Sequence, residues 1–217
     1  MEHQKEPKKL TSFYGSYEDR MMPNDLPATL DMQEDIEKNI DIAYEYFALY
    51  LKEKASRPTL FGKMVYIDIS EYIDEKPIGF WHLISLKELN TEILPCNNDH
   101  AVSLCKQNCI TMKRFVFLKR HEEARAICIY RASRLPWIVE IICLANVKSE
   151  KIKCWLISDK NSSKLYIRYQ QGATDFILIL KEEKTMYRLT SAFPVFNVSD
   201  MKQFAQGFKD HKWEYSE

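Results

Sequence analysis

Between Ile152 and Phe193, apolar and polar residues alternate with period two in four runs, IKCWLIS, KLYIRYQ, DFILIL and TMYRLTSAF. Successive side chains of an extended strand point to opposite faces, so each run predicts a strand. The intervening DKNSS, QQGAT and KEEK are short and rich in turn formers. Loops of that length join antiparallel neighbours, which predicts a four-strand meander. DFILIL is apolar on both sides and suits a central strand covered on both faces.

Upstream the period lengthens. Ile36, Ile40, Ala43, Tyr44, Phe47 and Leu51 recur at helical spacing, predicting an amphipathic helix from Leu30 to about Lys54. Asp31 stands in cap position, with Glu34 three residues on. KMVYIDIS alternates like a short strand, and KPIGFWHLISLKELN brings His82 ahead of a short helix. From Met112 the chain reads as a basic helix, with Leu118, Ala124, Ile127, Cys128 and Leu135 as its apolar stripe. Arg120, Arg125, Arg131 and Arg134 point mostly elsewhere. Pro136 kinks this helix or opens the next, and WIVEIICLA beyond it is apolar enough to be buried. SDMKQFAQGFKDHKW closes the chain as a helix capped by Ser199 or Asp200. The fold class read from these elements is α+β: N-terminal helices packed on a C-terminal four-stranded antiparallel sheet, with a closing C-terminal helix. Residues 1–60 form a tail and amphipathic helix with a regulatory or capping role, and residues 61–217 the main domain.

Composition narrows the choice of function. With 31 basic and 31 acidic residues the formal net charge is zero, so any anion site is local rather than a global basic footprint. Glu34, Asp35, Glu37, Asp41 and Glu45 cluster early, whereas the arginines concentrate later. The polar start MEHQKEPKKL carries no apolar leader core, and no run approaches the ~20 apolar residues of a membrane span. Cys128, Cys143 and Cys154 fall in apolar or strand-like runs, where a free thiol behaves as a small hydrophobe. A reducing, cytoplasmic setting follows. Cys96, Cys105 and Cys109 with His100 invite a zinc reading, but their spacings match no standard finger and predict no metal site.

The last question raised by the alternation is what the sheet puts on its second face. If Leu165, Ile167 and Tyr169 face the helices, then Lys164, Tyr166 and Arg168 face away, together with Arg188 and Thr190 of the last strand. Guanidiniums offer planar bidentate donors for phosphate, and a phenol can stack on an exposed base. Polar-out alternation is also what any half-solvated antiparallel sheet displays. His82 adds an imidazole that titrates near neutrality, although a histidine in an aromatic–apolar run is commonly a packing residue.

Three segments in order, GFWHLISL, HEEARAICIYRASRLPWIVEII and YIRYQQGATDFILILKEEKTMYRLTSAFPVF, resemble the barnase–EndoU–colicin–RelE superfamily of small ribonucleases, in particular its phage-associated branch. The resemblance spans roughly residues 78–196. It implies N-terminal helices on a four-stranded antiparallel sheet, and RNA cleavage across the open sheet face in a toxin or phage-defence setting. His82 matches the histidine of the first motif, and Arg125 with Arg131 or Arg134 falls in the second. Thr190 or Ser191 falls in the third; Tyr166 and Arg168 match the strand positions loosely.

On that footing the expected activity is metal-independent, cofactor-free cleavage of RNA by its own 2′-OH, leaving a 2′,3′-cyclic phosphate. His82 moves the proton, Arg168 and Arg188 clamp the phosphate, and Thr190 binds a nonbridging oxygen. Lys164, Tyr166, Arg125, Arg131, Arg134 and Ser191 bind the substrate. The alternative is a catalytically inactive interaction module of the same fold: an immunity protein, antitoxin or phage inhibitor. Besides RNA, an antitoxin or immunity protein is then the expected partner, and no membrane.

Overall fold

The computed structural model describes residues 26–87, 114–119, 122–160, 162–172, 174–196 and 198–211. Helix α1 (Ile36–Phe47) begins at Asp35, whose carboxylate accepts from the Glu37 and Lys38 amides at 2.9 and 3.4 Å. The helix therefore starts later than Asp31, where Asp35 satisfies two of the donors every helix start leaves bare. One π-helical turn (Ala48–Lys52) ends it.

Strands β1 (Thr59–Leu60) and β2 (Lys63–Ile67) pair through a tight turn at Phe61 and Gly62, both at positive φ (47° and 76°). That is the mirror-image turn whose twist suits a two-residue hairpin. Asn146 steadies it from outside, accepting from the Phe61 amide and donating to the Thr59 carbonyl, each at 2.8 Å. A small ladder follows, β3 (Tyr72–Ile73) with β4 (Lys76–Pro77), and leads into α2 (Ile78–Ile84).

The basic stretch before Pro136 departs from the helical expectation. Strand β5 (Ser85–Lys87) pairs with β7 (Glu123–Ile127), which pairs with β6 (Phe115–Leu118), giving a three-stranded antiparallel sheet. Residues 123–127 alternate half-buried and buried positions, Arg125 and Ile127 being inward. The helical stripe read from Leu118, Ala124 and Ile127 was an accident of a short window, in which periods of two and 3.6 share many positions. Helix proper begins with α3 (Ile129–Ser133) and continues as α4 (Leu135–Asn146), with Pro136 in its first turn, where no helical N–H partner is lost. Nine of the twelve α4 residues are buried, in keeping with the apolar run.

Strands β8 (Ile152–Ser158), β9 (Ser163–Gln171), β10 (Thr174–Glu182) and β11 (Met186–Pro194) pair consecutively and antiparallel. They are not the whole sheet, and the expected fold class is corrected here. β2 adds to β11 in parallel, with Met64 opposite Met186 and Ile67 opposite Leu189. The result is a curled, mixed six-stranded sheet in the order β1-β2-β11-β10-β9-β8. A five-residue run such as KMVYI carries no signal of which edge it will join, so the parallel pairing is invisible in the local pattern. A bulge between Ile179 and Leu180 inserts Thr190 as the extra residue of β11, shifting the parity of everything beyond it.

The inner face packs Leu165, Ile167, Tyr169, Phe176, Leu178, Tyr187 and Leu189 against α1, α2, α3 and α4 in one core. On the outer face lies α5 (Val198–Asp210). Its Met201, Phe204 and Phe208 pack on Trp155, Tyr166, Ile177, Ile179 and Phe193, a second apolar cluster. Ser199 and Asp200 sit inside its first turn rather than capping it. Among the described residues no helix is long and apolar enough to cross a membrane. The cysteine–histidine group at residues 96–109 lies outside the described residues.

Candidate active site

The outer face predicted as a phosphate reader is largely occupied by α5. Arg168, 2% exposed, donates through Nε and Nη2 to the two carboxylate oxygens of Asp175 at 2.8 and 2.5 Å. Its Nη1 reaches the Met201 carbonyl at 3.4 Å. This guanidinium fastens α5 to the sheet and is spent on that task. Tyr166 stacks on Trp155 at 5.0 Å and 7°, beneath Phe204, and burial raises its phenol pKa. Arg168 is buried and Tyr166 half-buried. Phe204 and Phe208 of α5 lie over the rows that alternation marks as polar on β9.

Arg188 and Thr190 escape this cover. Arg188 lies 3.9 Å from Asp68 and 3.6 Å from Glu183. Exposed Thr190 donates its hydroxyl proton to the Ile179 carbonyl at 2.9 Å, across the bulge. Ser191, opposite Ile179, takes the outer-face place that simple alternation gives Thr190. His82 is half-buried in the last turn of α2. That helix packs its apolar residues into the inner core.

The structure gathers a different set where α2 runs into β5. Ser85 ends α2, its hydroxyl donating to the Trp81 carbonyl. Arg125 comes across from β7, directly opposite Lys87 in the ladder, and donates Nε to Ser85 Oγ at 2.8 Å and Nη2 to the Ser85 carbonyl at 3.0 Å. Arg131 arrives from α3 and donates Nη1 to the same carbonyl at 2.7 Å. Its guanidinium carbon stands 5.1 Å from the centre of the Phe193 ring. Two arginines thus converge on one peptide oxygen, one turn after His82.

Their charges are balanced unequally. Arg125 ion-pairs with Glu123, which Lys87 also holds at 2.6 Å. Burial alone would raise the Glu123 carboxyl, but the Lys87 and Arg125 hydrogen bonds outweigh it and hold the group below the usual carboxylate range. Burial pulls the Arg125 pKa down, with Glu123 opposing. Arg131, 8% exposed, has no carboxylate within ion-pair distance among the described residues. Burial, opposed by the Cys128 sulfur and aided by repulsion from Arg125, brings its pKa down to about 10. A buried cation without an anion is costly. Among the described residues, Glu123 is the one carboxylate ion-paired here, against the cations of Lys87, Arg125 and Arg131.

The Arg134 guanidinium stacks 3.3 Å from the Tyr130 ring centre and 4.7 Å from that of Trp137, and Nη1 donates to the Ser133 hydroxyl at 3.0 Å. Lys164 is exposed on β9. Sequence reasoning missed Ser85 and Phe193, whose roles arise from the β5–β7 pairing and the β11 bulge. The nearest available signal was a strand-like alternation in Glu123–Ile127, which places Arg125 inward. No protein-family model matches the chain, and no curated protein and no solved structure matches it significantly.

Proposed function

We propose that the protein is an endoribonuclease whose phosphate site is the arginine pair at Ser85. The observation that carries this reading is Arg131, a buried guanidinium with no carboxylate within ion-pair distance among the described residues. A phosphodiester supplies the missing charge, and its nonbridging oxygens take donors from Arg131 and Arg125 as negative charge builds at phosphorus. The substrate provides the nucleophile. Its 2′-oxygen bonds to phosphorus as the P–O5′ bond breaks, the 2′-proton leaves to a base, and a proton is delivered to the departing O5′. His82, three residues before Ser85, takes the proton-transfer role, worth typically about 10²–10⁴-fold.

The test is incubation of the purified protein with total RNA and a chelator. Defined fragments ending in 2′,3′-cyclic phosphate are expected, with Arg131→Met and His82→Ala each lowering the rate at least about a hundredfold. Undiminished cleavage by Arg131→Met overturns the assignment.

The second reading is an inactive interaction module, favoured by the closure of the outer face under α5. The acidic face of α1 supports it weakly, because Glu37 is already paired with Arg114 at 2.8 Å and Asp41 with Lys76 at 3.1 Å. Absence of fragments with wild-type protein assigns this second role.

A further inference from the structure

The register of the large sheet aligns three cations that local sequence keeps far apart. Lys164 of β9 lies opposite Lys181 of β10, and Lys181 lies opposite Arg188 of β11. All three have outer-face parity. Strands stand about 4.8 Å apart, so the row spans roughly 10 Å. Tyr66 ends the row on β2, opposite Arg188, and Ile157 ends it on β8, opposite Lys164. The neighbouring row, Trp155–Tyr166–Ile179, belongs to the cluster beneath α5. The cationic row is the next one toward the β8–β9 and β10–β11 turns.

Like charges directly opposite one another on adjacent strands destabilise a sheet, and this row is only partly compensated. Glu182 faces inward and is held by Lys63 at 2.9 Å. Asp68 and Glu183 lean toward Arg188, at 3.9 and 3.6 Å, and the Arg188 Nε is buried without a hydrogen-bond partner. Among the described residues Lys164 and Lys181 make no ion pair within 4 Å. Lys160 and Lys184, exposed on the two adjoining turns, add further positive charge to this end of the sheet.

We infer that Lys164, Lys181 and Arg188 form a track for the phosphodiester backbone of single-stranded RNA, separate from the arginine pair at Ser85. The identity of the anion rests on the ribonuclease reading; the track itself rests on the register. The row contacts backbone, not bases, and so supplies affinity without sequence preference.

The experiment measures binding of a fluorescent 2′-O-methyl RNA oligomer, which lacks the attacking hydroxyl, by anisotropy over a range of salt. Lys164→Gln/Lys181→Gln removes two cations from exposed or half-exposed strand positions and relieves repulsion, so the fold is retained. Each phosphate contact on a single strand contributes about −0.7 to the slope of log K against log salt. The double variant is expected to bind more weakly with a slope shallower by about 1.4, whereas Lys38→Gln/Lys209→Gln, with the same charge change elsewhere, leaves the slope unchanged. An unaltered slope in the Lys164/Lys181 variant, or no binding by wild type at low salt, overturns the track. Binding that depends on the row in a protein that cuts no RNA sustains the track and removes the catalytic reading instead.

Discussion

Replacing Arg131 by methionine separates a guanidinium kept for a ligand from one kept for the fold. Methionine preserves length and apolar stem while deleting the charge. The fall of the Arg131 pKa to about 10 corresponds to roughly 3 kcal/mol against the charged form, a cost the substitution removes. Against this stand the 2.7 Å hydrogen bond to the Ser85 carbonyl, worth about 1.5–3 kcal/mol for a charged donor. The contact with the Phe193 ring adds about 0.5–2 kcal/mol. Ser85 is not orphaned, since Arg125 Nη2 still donates to the same oxygen at 3.0 Å. The contributions nearly cancel, so Arg131→Met is expected to leave stability within about 1–2 kcal/mol of wild type while cleavage collapses. Urea unfolding followed by tryptophan fluorescence measures the first, and RNA fragment analysis the second. Loss of 3–5 kcal/mol, the penalty of breaking a buried ion pair, with an unchanged slope in urea, would show that Arg131 already has its anion and would sink the reasoning.

Three further outcomes follow from the same structure. Arg168→Ala strands Asp175 under α5 and should cost about 3–5 kcal/mol, read as a fall in Tm of roughly 10 °C for a chain of this size; a near-neutral result would mean α5 does not hold that pair. Gly79→Ala should destabilise by about 1–3 kcal/mol, because its Cβ would meet the Asp68 carbonyl oxygen at 2.6 Å and Ile67 Cγ2 at 2.4 Å; urea midpoints check this. The depressed Glu123 carboxyl contributes stability that is fully present above the unfolded value of about 4.3 and lost as pH falls through its lower folded value. Glu123→Gln should therefore flatten the acid side of a stability–pH curve below about pH 4, and an identical acid limb in both proteins would contradict it.

The late strands were legible because alternation, turn residues and strand length agreed for each of them. Parity too was readable: Lys164, Tyr166 and Arg168 do share the outer face. What parity cannot reveal is who covers a face. The partner of Tyr166 is Phe204, supplied by a helix whose apolar residues look like any amphipathic stripe until its docking place is known. The bulge at Thr190 and the parallel addition of β2 likewise depend on contacts between distant segments. The candidate site was half visible for the same reason. Arg125 and Arg131 stood out by residue type, but Ser85 as their meeting point follows from β5 pairing with β7 across residues that no local period connects.

The parallel junction of β2 with β11 has a kinetic consequence. Each hairpin of the meander closes a loop of a few residues, whereas Met64 meets Met186 only after more than a hundred intervening residues have been brought into place. Loop closure on that scale costs entropy before any contact rewards it. The late meander is thus built to assemble early, and the arrival of β2, carrying the β1 turn with it, to come last. In stopped-flow refolding, substitutions at Val65 should chiefly speed unfolding, while those at Ile167 or Leu178 should chiefly slow folding.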